Sequence, residues 1–141
     1  MKTLNDHLSI SLLTLTLVAA CGGGGGGGGG SNSPAVTGPG GKAITTSGGQ
    51  AISQAAHNYW KDALAQFQKY EGSGWNEQAC KSVSSAFEDA SDAQKGFAEA
   101  IFMQGLSLAR CDKDDDALAL YTKALRTNAK FCKARVGIGL D

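Results

Sequence analysis

The longer, carboxyl-terminal part of the chain has a regular pattern of apolar positions. From residue 51 onward, apolar residues recur every three to four positions, which places them on one face of an α-helix. The pattern predicts helices over residues 53–71, 76–89, 97–111 and 115–127, and a last helix that begins near residue 130. Ser53 and Asn76 are suited to cap the first two helices. Because this region shows no alternation with a period of two, we predict an all-α domain over residues 51–141.

Several positions of these helices recur 34 residues further along the chain. The pairs are Phe87 and Tyr121, Ala90 and Ala124, Ala100 and Ala134, and Gly105 and Gly139. A 34-residue period of paired helices is the signature of the tetratricopeptide repeat (TPR).

The segment from Ala98 onward resembles one TPR unit. Its matching positions are Gly105, Ala117, Tyr121, Ala124 and Leu125. It departs from the family pattern at Ile101, Gln104, Leu108 and Ala129, where tryptophan, leucine, tyrosine and proline are usual. A degenerate unit precedes it in residues 60–67 and 83–90, and a third unit stops partway. The resemblance implies a helix-turn-helix solenoid of about two repeats plus a truncated third.

Residues 1–20 have the features of a bacterial lipoprotein signal peptide. Lys2 is followed by an uncharged apolar stretch of about eleven residues, which is too short to span a membrane as a helix. The sequence Val18-Ala19-Ala20-Cys21 then resembles the bacterial lipobox. In that family the cysteine is diacylated and the chain is cut before it, and two acyl chains anchor a protein stably. The resemblance implies lipid attachment at Cys21, and a plain secretory signal is the alternative.

Residues 21–50 are predicted to form a flexible tether. Gly22 to Gly30 are all glycine, and the stretch that follows is rich in glycine, serine and threonine. Such a chain has few apolar groups to offset the backbone entropy that glycine would lose. A coil of this length spans about 30 Å. No aspartate follows Cys21, which under the sorting rule of enteric lipoproteins favours the outer membrane. We expect a lipid-anchored protein there that faces the periplasm.

The charges and polar residues predict no catalytic, metal or nucleic-acid site. Lys plus Arg and Asp plus Glu number 13 each, so the basic excess of a nucleic-acid binder is missing. His57 is the one histidine after the predicted cleavage, and the acidic run from Asp112 to Asp116 lacks the glycine and glutamate of a calcium loop. No glycine-rich phosphate loop is present. We expect no enzyme activity, cofactor, metal or small-molecule substrate.

Three cysteines lie in the predicted helical domain, at Cys80, Cys111 and Cys132. The start of the second helix and the end of the third lie on the same side if the two helices are antiparallel. A Cys80–Cys111 disulfide is therefore expected in an oxidising periplasm. A thiol-redox function through Cys111 or Cys132 is an alternative, which the lack of a Cys-x-x-Cys pair disfavours.

The TPR resemblance also implies where a partner protein would bind. TPR arrays bind through a concave face that their first helices line. The exposed positions of that groove would be Glu99, Phe102, Leu106, Arg110, Lys133 and Val136. Arg110 and Lys133 would bind a carboxylate of the partner, and Phe102 and Leu106 would supply apolar contact. A solvated helix face is the alternative.

The lipobox, the tether and residues 80–140 together resemble the TPR lipoproteins of the myxobacterial gliding-motility machinery. The resemblance rests on residues 97–101, 109–111 and 123–125. It implies a periplasmic scaffold that binds envelope proteins of a multiprotein complex. A general envelope-assembly or peptidoglycan-synthesis adaptor is the alternative. Because a solenoid needs about three repeats and a polar cap, we also expect the chain to be truncated at its carboxyl end.

Overall fold

Four helices form the part of the chain that the structure describes. The structure is a computed structural model and describes residues 35–131 and residue 137. The helices are α1 (Gln54–Ser73), α2 (Glu77–Asp92), α3 (Ala98–Ala109) and α4 (Asp114–Thr127). Within this part there are isolated backbone bridges but no strand, so the prediction of an all-α domain is confirmed. The predicted last helix lies outside the described residues, apart from Gly137, which is helical.

The first two helices begin where their caps were predicted. The Ser53 hydroxyl accepts a hydrogen bond from the Ala56 N–H at 3.2 Å, and the Asn76 side chain accepts one from the Ala79 N–H at 2.8 Å. Each bond satisfies one of the backbone donors that a helix leaves unpaired in its first turn. Helix α1 ends at Ser73 and is capped by Gly74, whose φ of 99° lies in a region that favours glycine.

Each helix packs mainly on the helix that follows it, and side chains of α1 also meet the residues at the two ends of α3. Near their starts, the rings of Trp60 and Phe97 are 5.0 Å apart, and near their ends Arg110 bonds to Glu71. Contacts at both ends mean that α1 and α3 run parallel. Helix α2 packs against both and runs in the opposite direction, since Cys80 at its start is bonded to Cys111 after the end of α3. This order of packing places the ends of α1 and α3 together at one end of the domain.

Large aromatic side chains form the main core between α1, α2 and α3. Trp60, Phe67, Phe87 and Phe97 are each at least 97% buried. Trp60 and Phe87 meet edge to face at 5.4 Å, an arrangement that aromatic rings favour. A second, smaller cluster joins α3 to α4 and contains Ala98, Ile101, Ala124 and Phe131.

The segment before α1 is folded, so the prediction of a flexible coil through residue 50 is wrong from residue 35 onward. Three short segments, residues 35–37, 43–45 and 51–53, close on one another, and we call them the three-segment ring. Val36 N–H donates to Ile52 O at 3.1 Å, Ile44 N–H to Val36 O at 2.8 Å, and Ile52 N–H to Ile44 O at 2.9 Å. Each central residue therefore donates to one of the other two and accepts from the other.

The ring is stable because it adds apolar groups to the helical core. Ile52 is 1% exposed, and Ile44 packs against the main cluster. Thr46, in the loop between the second and third segments, is fully buried. Burial of these side chains offsets the entropy cost of ordering a glycine-rich chain. Gly49, with a φ of 82°, supplies a turn conformation that other residues rarely adopt.

Candidate functional site

The predicted groove residues of α3 occupy one side of the helix, but their environments differ. Glu99, Phe102 and Leu106 are half-buried, and Arg110 is exposed. Lys133 and Val136, which were predicted to extend the groove, lie outside the described residues. In the part that the structure describes, the groove face consists of its four predicted positions from Glu99 to Arg110 and of the residues that contact them.

Glu99 is covered by the loop of the three-segment ring. The backbone N–H of Ser47 donates to the Glu99 carboxylate. The Asn128 amide, in the turn after α4, donates to the Ser47 hydroxyl at 2.9 Å. The loop of residues 46–50 therefore joins the start of α3 to the end of α4. Glu99 was predicted to be an exposed groove position, and the folded ring is the reason that it is not.

Phe102 and Leu106 are less exposed than predicted because both take part in packing. The Phe102 ring lies 5.1 Å from that of Tyr121 and 5.6 Å from that of Phe131. Leu106 packs against the main core cluster. Part of each side chain remains exposed.

Arg110 has the most exposed charge among these positions, and its orientation is fixed by its neighbours. Its Nε donates to Glu71 Oε1 at 2.6 Å, and the guanidinium lies 5.8 Å from the centre of the Phe67 ring. Glu71 Oε1 also accepts a bond from Trp75 Nε1 at 3.0 Å. The Arg110 side chain remains 40% exposed. The bond to Glu71 uses Nε, so the two Nη groups are not part of it.

The structure contains the predicted disulfide. Cys80, in the first turn of α2, is bonded to Cys111, which follows α3, and their Cα atoms are 6.4 Å apart. Cys80 is fully buried and Cys111 is half-buried. The antiparallel packing of α2 and α3 brings the two residues together, as expected. Cys21 and Cys132 lie outside the described residues.

Gly105 makes the close contact between α3 and α4 that its position in the repeat predicted. A Cβ atom at Gly105 would lie 2.9 Å from Tyr121 Cε1 and 3.0 Å from the Ala117 carbonyl oxygen. Ala117, Tyr121 and Ala124 are all buried on the facing side of α4. Burial raises the pKa of the Tyr121 hydroxyl above its ordinary value. Gly139, the predicted equivalent of Gly105, lies outside the described residues.

His57 lies in α1, and three residues of the acidic run lie in the first turn of α4. Among residues 35–131, no group of three or more His, Cys, Asp and Glu side chains could hold a metal ion. Asp114, Asp115 and Asp116 lie in the first turn of α4, where negative charge interacts favourably with the helix dipole. Burial and the nearby Lys61 lower the pKa of His57. In the same part of the chain, no helix combines the length and apolar character needed to cross a membrane.

Neither the ring residues nor the partners of Arg110 were predicted from the sequence. An octapeptide recurrence was the available signal for the ring, since Ala35-Val36-Thr37, Ala43-Ile44-Thr45 and Ala51-Ile52-Ser53 repeat at intervals of eight. No comparable pattern pointed to Glu71 or Trp75, because the packing of α1 against α3 alone brings them to Arg110.

Comparison of the chain with protein-family models, with curated proteins and with solved structures finds no match to any of them.

Proposed function

We propose that the chain is a membrane-anchored periplasmic scaffold whose TPR-like domain binds partner proteins through the groove face of α3. The observation that carries this proposal is the packing of equivalent positions in α2 and α4. Val83, Phe87 and Ala90 are buried in α2, and Ala117, Tyr121 and Ala124, each 34 residues further on, are buried in α4. The same side of each second helix therefore meets the helices before it, as a solenoid of repeats requires.

The parallel arrangement of α1 and α3 supports the same proposal. In a solenoid of helix pairs, the first helices form one layer and the second helices form the other. The contacts of Trp60 with Phe97 and of Glu71 with Arg110 are consistent with α1 and α3 in one layer. A partner segment that contacts α3 on the side away from α2 would then lie on the inner layer.

The open part of this face is the end at Arg110. The ring loop covers Glu99, so a partner has access to the exposed remainder of Phe102, Leu106 and Arg110. The guanidinium of Arg110 would bind a partner's carboxylate together with Lys133, and the two apolar side chains would supply contact area.

Features of the sequence support the place proposed for the scaffold in the cell. The lipobox-like segment that ends at Cys21 supports lipid anchorage, and the glycine run of residues 22–30 supports a spacer between the anchor and the folded part. The resemblance to gliding-motility TPR lipoproteins supports a role as an envelope subunit of such a machine. Under this proposal the domain connects envelope proteins and catalyses no reaction.

Affinity capture tests the proposal. The full-length lipoprotein would be extracted from membranes with detergent, and the proteins bound to it would be identified by mass spectrometry. A variant with Arg110→Glu and Lys133→Glu would be compared with a control variant, Lys123→Glu and Arg126→Glu, which changes two exposed charges on α4. Circular dichroism would establish that both variants are folded.

The outcomes separate the candidate functions. The proposal expects a reproducible set of envelope proteins that is lost with the Arg110 variant and kept with the control. Motility-complex proteins in that set would support the gliding role, and assembly factors or cell-wall enzymes would support the adaptor role. Equal capture by both variants would show that the groove assignment is wrong, and an empty set would contradict the scaffold function.

A further inference from the structure

The charged residues in the last part of the chain are all basic until its final residue. Between Asp116 and Asp141 the sequence has no aspartate or glutamate, and its basic residues are Lys123, Arg126, Lys130, Lys133 and Arg135. The structure describes the first three of these, and all three are exposed. We call Lys123, Arg126 and Lys130 the basic surface.

The basic surface lies at the end of α4 and in the turn that follows. Lys123 and Arg126 are three positions apart in the helix, so they lie on the same side of it. Asn128 fixes the turn, because its side-chain oxygen accepts a hydrogen bond from the Lys130 N–H at 3.0 Å. The helix dipole favours a cation in the last turn, such as Arg126, but it accounts for neither Lys123, a turn earlier, nor Lys130, beyond the helix.

The chain enters the domain at the same end. The Asn128 amide donates to the Ser47 hydroxyl, in a loop of the three-segment ring, at 2.9 Å. The ring also contains Ala35, the first residue that the structure describes, which pairs with Ser53. The glycine run ends only five positions before Ala35. The basic surface is therefore close in the fold to the segment that leads back to Cys21.

Other charges at this end leave the α4 side basic. Lys42, in the ring, is exposed, and so is Lys95, which precedes Gly96, where the Gln50 side chain packs. Glu99 is covered by the Ser47 loop. The other acidic residues of this end lie on α1 and α2, at Asp62, Glu88, Asp89 and Asp92.

We propose that the basic surface docks on the anionic lipid headgroups of the membrane to which the chain is tethered. Lysine and arginine donate charge-assisted hydrogen bonds to phosphate oxygens, and each such residue near an anionic bilayer raises partitioning about fivefold. Three residues bind weakly alone, and a tether makes the docking effective by keeping them near the bilayer. That the tethering membrane is the one bound rests on the proposed function, whereas the affinity for anionic lipid does not.

Docking would orient the groove face. Arg110 caps the end of α3, and the ring loop covers Glu99 at its start. A domain that rests on the membrane by its ring end therefore presents Arg110 away from the bilayer, where partner proteins have access to it.

Partitioning of the full chain into vesicles tests the docking. The chain would carry Cys21→Ser, so that no lipid anchor contributes. Its partition coefficient would be measured by sedimentation with vesicles of phosphatidylcholine alone and with vesicles that also contain phosphatidylglycerol. The quantity of interest is the ratio of the second coefficient to the first. Lys2 and the apolar segment after it are the same in every variant, so they cannot make the ratios of two variants differ.

Charge reversal shows whether the basic surface is responsible. The test variant is Lys123→Glu, Arg126→Glu and Lys130→Glu. The control is Lys61→Glu, Lys69→Glu and Lys81→Glu, which makes the same change in net charge at three exposed lysines of α1 and α2. Circular dichroism would establish that both are folded. We expect a ratio of about a hundred for the unreversed chain and for the control at low salt, and a ratio near one for the test variant.

Three results would overturn the proposal. They are a ratio near one for the unreversed chain, equal ratios for the test variant and the control, and a ratio that added salt does not lower. Partner capture from detergent involves no bilayer, so Lys123→Glu and Arg126→Glu remain a suitable control there. Failure of the docking and failure of the scaffold function are therefore separately observable.

Discussion

At the scale of single residues, the distance between α3 and α4 depends on a missing side chain. Gly105 leaves room for the Tyr121 ring and for the backbone of Ala117. Tyr121 in turn contacts Phe102, so one glycine affects the second cluster and the groove face together. The repeat pattern predicted a small residue here, and the packing shows why an alanine is already too large.

Gly105→Ala is expected to destabilise the domain. The added methyl group would come within 3.0 Å or less of Tyr121 and Ala117, and overpacking of this kind costs about 1–3 kcal/mol, more than the gain in helix propensity. The measurement is the free energy of unfolding from urea denaturation. Gly72→Ala is the matched control, because a methyl group there meets no atom within 4 Å and α1 should gain about 1 kcal/mol. Equal effects of the two changes would contradict the close contact.

At the scale of elements, two features hold the helices in place, a disulfide and a ring of backbone hydrogen bonds. The disulfide joins α2 to the turn after α3, and the three-segment ring joins the start of α1 to α3 and α4. The ring also contacts the turn between α2 and α3, where the Ser53 N–H donates to the Gln94 side chain at 3.1 Å. The disulfide and the ring therefore restrict the motion of helices that the small core alone would restrict less.

Removal of the disulfide should lower stability without changing the fold. The two cysteines are separated by 31 residues, and closing a loop of that length stabilises a protein by about 3–4 kcal/mol in the chain-entropy description. We expect the Cys80→Ala, Cys111→Ala variant to lose about that much in urea denaturation. Wild-type protein in dithiothreitol should unfold at nearly the same urea concentration as the variant. A variant as stable as the oxidised protein would argue against the disulfide in solution.

Hydrogen exchange distinguishes the ring from a flexible tether. The amides of Val36, Ile44 and Ile52 donate within the ring, so each should exchange more slowly than an unstructured amide, by about tenfold or more. The rates of the same amides in the chain unfolded by urea provide the reference. If Val36, Ile44 and Ile52 exchange as fast in the folded chain as in the unfolded chain, the ring does not form in solution.

At the scale of the whole molecule, a small helical domain is joined to a glycine-rich leader of different character. About a hundred residues form the part that the structure describes, and domains of this size have modest stability. The ring places Ala35 beside the N-cap of α1, since Ala35 pairs with Ser53. The end that carries Arg110 lies at the other end of α1, which is about 30 Å away for a helix of 20 residues.

Membrane attachment should depend on Cys21 alone among the cysteines. Cys21→Ser removes the thiol that the lipobox pattern marks for acylation, so the protein should move from the membrane fraction to the aqueous fraction. Fractionation of cells followed by mass determination of the amino-terminal peptide is the measurement. Cys132→Ser serves as the control and should remain attached. A Cys21→Ser protein that stays in the membrane fraction would rule out lipid anchorage at this residue.

The helices were predictable from the sequence because their causes are local. Apolar residues at intervals of three and four, with Ser53 and Asn76 as caps, determine α1 and α2 whatever packs against them. The disulfide was also predictable, since antiparallel neighbours bring the start of α2 to the end of α3. The predicted tether included too many residues because of its composition. Glycine and serine favour a coil, and the prediction did not use the octapeptide recurrence of the residues that close the ring.

By itself, the sequence determined which segments are helical, which positions are small enough for close packing, and which cysteines can meet. Only the tertiary structure decided which groove residues remain accessible. Glu99 is covered because the Ser47 loop folds back over 52 positions of chain, and Arg110 is oriented because Glu71 lies 39 positions before it. Such contacts depend on how distant segments pack, so the pattern within any one segment does not predict them.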